Sequence, residues 1–162
     1  MMTASLQTAI ERNQKITQIC MRLLARREHS QRELLDKLAL RGFKRQEVEP
    51  ILKEMIAQNW QNDSRFVECY VRQRIADGYG PLRIRYELQQ RGIDDVDLDT
   101  LADEYVDGWQ NQLLSVYERK YDQVKVLSAA EWLKRNRFLY QRGFNAEMIK
   151  TLFATLKLKL SQ

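Results

Sequence analysis

The chain is predicted to be all-α, built as three tandem three-helix repeats in an elongated, curved array. Three observations predict this. Apolar residues recur at spacings of three and four and seldom alternate, which is the pattern of amphipathic helices. Only two prolines and six glycines interrupt 162 residues. The sequence also aligns with itself: Arg41-Gly42, Arg91-Gly92 and Arg142-Gly143 lie 50 and 51 residues apart. Leu38, Leu88 and Leu139 then fall in register, as do Phe43, Ile93 and Phe144. So do Val48, Leu98 and Ile149; Ile51, Leu101 and Leu152; and Met55, Tyr105 and Leu156. A repeat of this length is one supersecondary unit, with the Arg-Gly pair closing its second helix. Such a unit buries too little surface to be secure alone, whereas stacked units share core. Curvature then leaves a concave face suited to an extended partner.

Residues 1–12 form an N-terminal arm in this reading, and the repeats span 13–61, 62–108 and 109–162. The first repeat opens with an amphipathic helix over 16–27, carrying Ile16, Ile19, Cys20, Leu23 and Leu24 on one side. Ser30-Gln-Arg-Glu33 is a capping box for the second helix, which holds Leu34, Leu35 and Leu38. A third helix runs over 45–58. In the second repeat, Asn62 or Asp63 caps a helix whose apolar stripe is Phe66, Val67, Tyr70, Val71 and Ile75. Gly78-Tyr79-Gly80-Pro81 breaks that helix and starts the next, with proline at the first helical position where its missing N–H costs nothing. An acidic helix follows over 94–107. The third repeat has helices from Trp109 to Tyr121 and from a second capping box, Ser128-Ala-Ala-Glu131.

Composition excludes several classes. A hydrophobic content of 44% argues against disorder. No apolar run approaches the roughly 20 residues of a membrane helix, and the N-terminus lacks the pattern of a secretory signal. Cys20 and Cys69 both fall inside helical patterns and are expected to be buried thiols of a cytoplasmic protein. The net charge of +5 is unevenly placed: residues 94–110 carry seven acidic and no basic side chains, while 111–162 carry ten basic and four acidic. The pI near 9.3 permits a polyanionic partner without demanding one. Gly78-Tyr-Gly80 begins like a dinucleotide-binding loop, but the third glycine is missing and a helix precedes it. With one histidine, no phosphate loop and no nucleophile–base set, the chain does not read as an enzyme, and no cofactor or metal is expected.

Three groups of residues stand out. On the helix opening at Pro81, with Ile84 at zero, Leu88 lies at about 40° and faces the core. Leu82 and Tyr86 lie at about 160° and 200° on the far side, with Arg83 and Arg85 on opposite flanks. They either pack on a neighbouring unit or form a partner-binding patch. Arg74 falls inside an apolar stripe, so it needs an ion-pair partner or a binding role, because an unpaired buried cation is very costly. Arg65 and Arg72 point outward, as solvated surface or as contacts. In the third repeat Lys134, Arg135, Arg137 and Arg142 are interleaved with Trp132, Phe138 and Tyr140. That pattern suits phosphates and stacked bases, carboxylates on a protein, or a plain solvated face.

The central stretch also resembles the RecX family, bacterial regulators of the RecA recombinase. The matching segments are DSRFVECYVRQR, GYGPLRI and YELQQRGI, with weaker matches at REHSQRELLDKL (27–38) and RFLYQRGF (137–144). The resemblance implies the same helical-repeat fold and a cytoplasmic, non-enzymatic role in recombination, DNA repair and the SOS response. It implies binding to the RecA filament on single-stranded DNA and inhibition of its ATPase and strand exchange. Partner contacts are then expected from Arg65, Arg72, Arg74, Tyr79, Leu82, Arg83, Arg85 and Tyr86. Lys134, Arg135, Arg137 and Arg142 are candidates for weak direct DNA binding. A monomer with no membrane contact is expected. A helical module acting on DNA by itself is the alternative.

Overall fold

The computed structural model describes the backbone of residues 2–161 and side chains from residue 6 to 161. Among them are nine helices: α1 (Met2–Leu24), α2 (Gln31–Ala39), α3 (Arg45–Ala57), α4 (Asp63–Ala76), α5 (Pro81–Gln90), α6 (Leu98–Ala102), α7 (Gly108–Lys120), α8 (Ala129–Gln141) and α9 (Ala146–Thr155). Two short strands, β1 (Val126–Leu127) and β2 (Lys159–Leu160), pair in parallel. The all-α reading and the three tandem three-helix units stand. The arm expected over 1–12 is continuous in backbone with the helix after it, except Met1, which lies outside the described residues.

The chain divides into two compact units, 1–69 with 90–93, and 70–89 with 94–162. The first has a core of Ile16, Cys20, Leu38, Phe43, Val48 and Met55. Its α2 opens with the expected capping box: Ser30 Oγ accepts from Glu33 N at 3.1 Å, and the Glu33 carboxylate accepts from Ser30 N at 3.2 Å. Ser30 Oγ also donates to the carbonyl of Arg91 at 2.8 Å, so one hydroxyl serves two helix ends. Asn62 caps α4 by accepting from Arg65 N, which frees Asp63 to accept from the backbone N–H of Gln31 at 2.9 Å.

The second unit is built on Leu113, Val116, Tyr117, Leu139, Phe144, Ile149, Leu152 and Phe153. The glycine turn between α4 and α5 docks here on the end of α8. Gly80 N donates to Arg142 O at 2.8 Å and Leu82 N donates to Gly143 O at 3.0 Å. A Cβ on Gly80 would lie 2.6 Å from the Gly143 carbonyl oxygen, so no other residue fits.

The Arg-Gly register is a conformational repeat. Gly42, Gly92 and Gly143 have φ of +82°, +77° and +98°, the left-handed region that closes a helix. Phe43 N and Phe144 N both reach back to the carbonyl five residues earlier, Leu38 and Leu139.

Three local expectations are corrected. The acidic helix over 94–107 shrinks to Leu98–Ala102, because seven like charges in that stretch repel and Asp97 instead caps a short helix through Thr100. At Ser128 only half of a capping box forms: its Oγ accepts from Glu131 N, but the Glu131 carboxylate turns to Arg135. Cys20 is buried as expected, and burial pushes its pKa up to about 11, but Cys69 is exposed. The strands were not foreseen, since two residues carry no periodicity.

Candidate functional site

The end of α4, the glycine turn and α5 hold a compact polar lattice inside the second unit. Glu87 is its centre. It sits one turn after Arg83 on α5 and is 8% exposed. Arg74 donates to it twice, Nε to Oε2 at 2.7 Å and Nη2 to Oε1 at 2.6 Å. Tyr70 Oη donates to Oε2 at 2.7 Å and Arg83 Nε to Oε1 at 2.7 Å. Burial pushes the Glu87 pKa up. The hydrogen bonds from Arg74, Arg83 and Tyr70 and the charge of Arg74 outweigh that and hold it at about 2. The carboxylate is ionised throughout the physiological range.

Tyr79 forms the second layer. Its ring is stacked by Arg74 at 3.8 Å and Arg142 at 4.7 Å, with Arg83 at 5.8 Å. Arg142 also donates to the Asp77 carbonyl at 2.8 Å. The positive φ of Gly78 and the close fit at Gly80 bring the ring to these cations. The ion-pair reading of Arg74 therefore holds, with Glu87 as the partner, 13 residues away in sequence.

The outward face of α5 is different in character. Leu82 is 48% exposed and Tyr86 59%. Arg85 is exposed beside them, while Arg83 is split between Glu87 and solvent. The lattice beneath fixes α5 from its inner side. The result is an apolar pair on a rigid helix, flanked by cations and by no exposed carboxylate of α5.

The remaining sequence candidates separate. Arg65, in the first unit, is a staple: it donates to Glu28 at 2.7 Å and to the carbonyls of Asn59 and Trp60. Arg72 is exposed on α4. Of the four cations grouped on the third repeat as nucleic-acid candidates, Arg135 is turned inward. That guanidinium is buried, donating to Tyr117 Oη at 2.6 Å, Glu131 at 3.0 Å and Asp122 at 3.3 Å. Arg142 turns towards Tyr79, leaving Lys134 and Arg137 exposed on α8. Sequence reasoning passed over Leu133, 59% exposed on α8, where Tyr140 is 63% exposed. The signal was present, because Leu133 stands 51 residues after Leu82. Among the described residues no His, Cys, Asp and Glu group is arranged to hold a metal, and no helix is long and apolar enough to cross a membrane.

Comparison with known proteins covers most of the chain. Models of the RecX family match in three pieces: its first three-helix domain over 18–55, its second over 62–100 and its third over 110–153. The chain is 42% identical over 137 residues to the regulatory protein RecX of Legionella pneumophila (strain Corby), spanning 85% of this chain and 91% of that one. It is 39% identical over 153 residues to the regulatory protein RecX of Pseudomonas fluorescens (strain SBW25), spanning 94% and 96%. The crystal structure of RecX from Lactobacillus salivarius shares the fold at a TM-score of 0.68 and 20% identity, covering 91% and 97% of the two chains.

Proposed function

The chain belongs to the RecX family of regulatory proteins, and from that membership we propose that it binds the RecA filament on single-stranded DNA and lowers its ATP hydrolysis and strand exchange. The observation that carries the contact assignment is the outward face of α5. Leu82 and Tyr86 are 48% and 59% exposed on a helix held from behind by the Glu87 lattice. Burying two such side chains is worth roughly 1.5–3 kcal/mol each before the costs of association. The rigid helix loses little entropy on docking, which favours a preorganised contact. Arg83 and Arg85 at its rim suit carboxylates of a protein partner, and Tyr79 and Arg74 act through the lattice that positions α5. Arg72 adds an exposed cation on α4, whereas Arg65 contributes by holding the start of that helix. Arg137 is the exposed cation of α8 available to a phosphate, and Lys134, exposed as well, also pairs with Glu131 at 3.6 Å.

The test is RecA ATP hydrolysis on single-stranded DNA with this protein titrated below the RecA concentration, and binding to bare DNA measured in the same buffer. Suppression by substoichiometric protein, with bare-DNA binding weak, is the expected outcome. Suppression only once the protein saturates the DNA would replace this reading with competition for the lattice by a DNA-binding module.

A further inference from the structure

The three Arg-Gly helix ends are alike in backbone and unlike in what covers them. In the first unit the opening turn of α2 lies on Arg91-Gly92: Ser30 Oγ donates to the Arg91 carbonyl at 2.8 Å, and Glu33 pairs with the Arg91 guanidinium at 3.4 Å. In the second unit the opening turn of α5 lies on Arg142-Gly143, where Gly80 N and Leu82 N donate to the two carbonyls at 2.8 and 3.0 Å. The fit is close in both, since a Cβ on Gly92 would stand 3.0 Å from Arg32 and one on Gly143 would collide with Arg83. An opening turn carries free N–H groups and a closing turn free carbonyls, so the two kinds of end complement each other. Arg41-Gly42 has no such cover. A Cβ on Gly42 would meet nothing within 4 Å. Among the described residues the Arg41 carbonyl accepts no hydrogen bond, and that of Gly42 is reached by Arg12 alone, at 3.5 Å. Against this end lies a groove of about 430 Å³, formed by one face of α1 (Lys15, Gln18, Ile19 and Arg22) with Arg41 and Phe43. Ile19 and Phe43 give it an apolar floor. Its charged groups are all cations. Among the described residues none of Lys15, Arg22 and Arg41 has a carboxylate partner; Arg41 donates to the Lys37 carbonyl of its own helix at 2.7 Å. Glu47 brings no free charge here, being held by Arg12 and by the Lys44 N–H.

We propose that this groove docks the opening turn of a helix from a partner protein, one that carries carboxylates in that turn and an apolar side chain for the floor. The two covered ends give the class of occupant: each takes the first turn of a helix, and Arg91 takes a carboxylate from that turn. The cations of the groove give its charge. One segment supplies both, because acidic side chains are favoured where the positive end of the helix dipole stands. A phosphodiester backbone fits less well. It offers acceptors to Lys15, Arg22 and Arg41 but no donor to the uncovered Arg41 carbonyl. The groove belongs to the first unit and stands whether or not the α5 face meets RecA.

The probe is a labelled alanine-based peptide of about 20 residues, long enough to be helical alone, that opens with Ser-Glu-Glu-Glu and carries a leucine in its next turn. Its control has glutamine for each glutamate. Fluorescence anisotropy reads binding to the full chain, to Arg41→Glu, to K15E/R22E, and to Arg137→Glu, which makes the same charge change outside the groove. Melting curves are the folding control, and K15E/R22E leaves the Arg41 bond to Lys37 intact, so it decides the matter should Arg41→Glu be destabilised. Wild type is expected to bind the acidic peptide about 10-fold or more tighter than the glutamine peptide, since charge-assisted hydrogen bonds are the stronger ones. Both groove variants should lose about 10-fold, and Arg137→Glu should not. Equal affinity for the two peptides, no saturable binding, or binding undiminished in the groove variants would overturn the proposal. An oligodeoxynucleotide that displaces the peptide, and whose own binding falls in both groove variants, would make this a phosphate site and overturn it too. Self-association of the wild type in sedimentation, abolished by Arg41→Glu, would put a second copy of this chain in the groove in place of a different protein.

Discussion

Arg74 and Glu87 are joined by two hydrogen bonds of 2.7 and 2.6 Å, across the turn that separates α4 from α5. Their side chains are only 20% and 10% exposed, and the pair ties α5 to the end of α4. Removing one member of a buried pair costs about 3–5 kcal/mol, because the other is left uncompensated. Glu87→Ala should therefore lower stability to urea by that amount. Arg74 and Tyr70 would both lose their acceptor.

The same carboxylate sets an acid dependence. Its folded pKa of about 2 lies below an unfolded value of about 4.3. A depressed pKa contributes stability that is complete above the unfolded value and is lost as pH falls through 4 towards 2. Urea unfolding from pH 7 to pH 2.5 should show that loss. In Glu87→Gln the slope should be shallower, although Glu33 and Glu47, also lowered, keep it from vanishing.

Glycine at position 80 is required by contact. Gly80→Ala places a Cβ 2.6 Å from the Gly143 carbonyl oxygen and 2.7 Å from the Phe144 ring. The docked turn must shift, and a cost of about 1–3 kcal/mol is expected. Gly42→Ala has open space and only its φ of +82° to oppose it, so its cost should be about 1–2 kcal/mol from backbone alone. Thermal melts of the two variants compare contact with conformation.

Ser30 joins a cap to a long-range bond, with Glu33 N at 3.1 Å and Arg91 O at 2.8 Å. Ser30→Ala should cost about 1–2 kcal/mol, more than Ser128→Ala, whose Oγ caps Glu131 alone. Chemical denaturation of both variants is the check.

Two neighbouring arginines of α8 should behave oppositely. Arg135→Ala leaves Tyr117, Glu131 and Asp122 without their buried donor, and melting should fall by several degrees. Arg137→Ala should leave melting unchanged. Tyr86→Ala should also keep its melting temperature but weaken suppression of RecA ATP hydrolysis by about 10-fold or more, as for an aromatic interface anchor.

Much of this was legible in the residues. The spacing of Arg41-Gly42, Arg91-Gly92 and Arg142-Gly143 gives the repeat, because a left-handed helix end favours glycine, although α3 and α9 close on Asn59 and Lys157 at φ of +59° and +55°. The placement of Leu38, Leu88 and Leu139 in the core follows from helical periodicity. The exposed Leu82 and Tyr86 could be located by angle from Ile84. Local chemistry determined these features: they depend on residues within a turn or two of one another, and a linear sequence displays such neighbours. The tertiary structure decided the rest. Arg74 announced that it needed a partner, but Glu87 became that partner only when the Gly78–Pro81 turn brought α5 to the end of α4. Arg135 and Arg137 look alike in sequence. Tyr117, from another helix, draws one inward and leaves the other in solvent. Pairings across 13 to 65 residues depend on the path of the chain, and neither residue type nor spacing encodes that path.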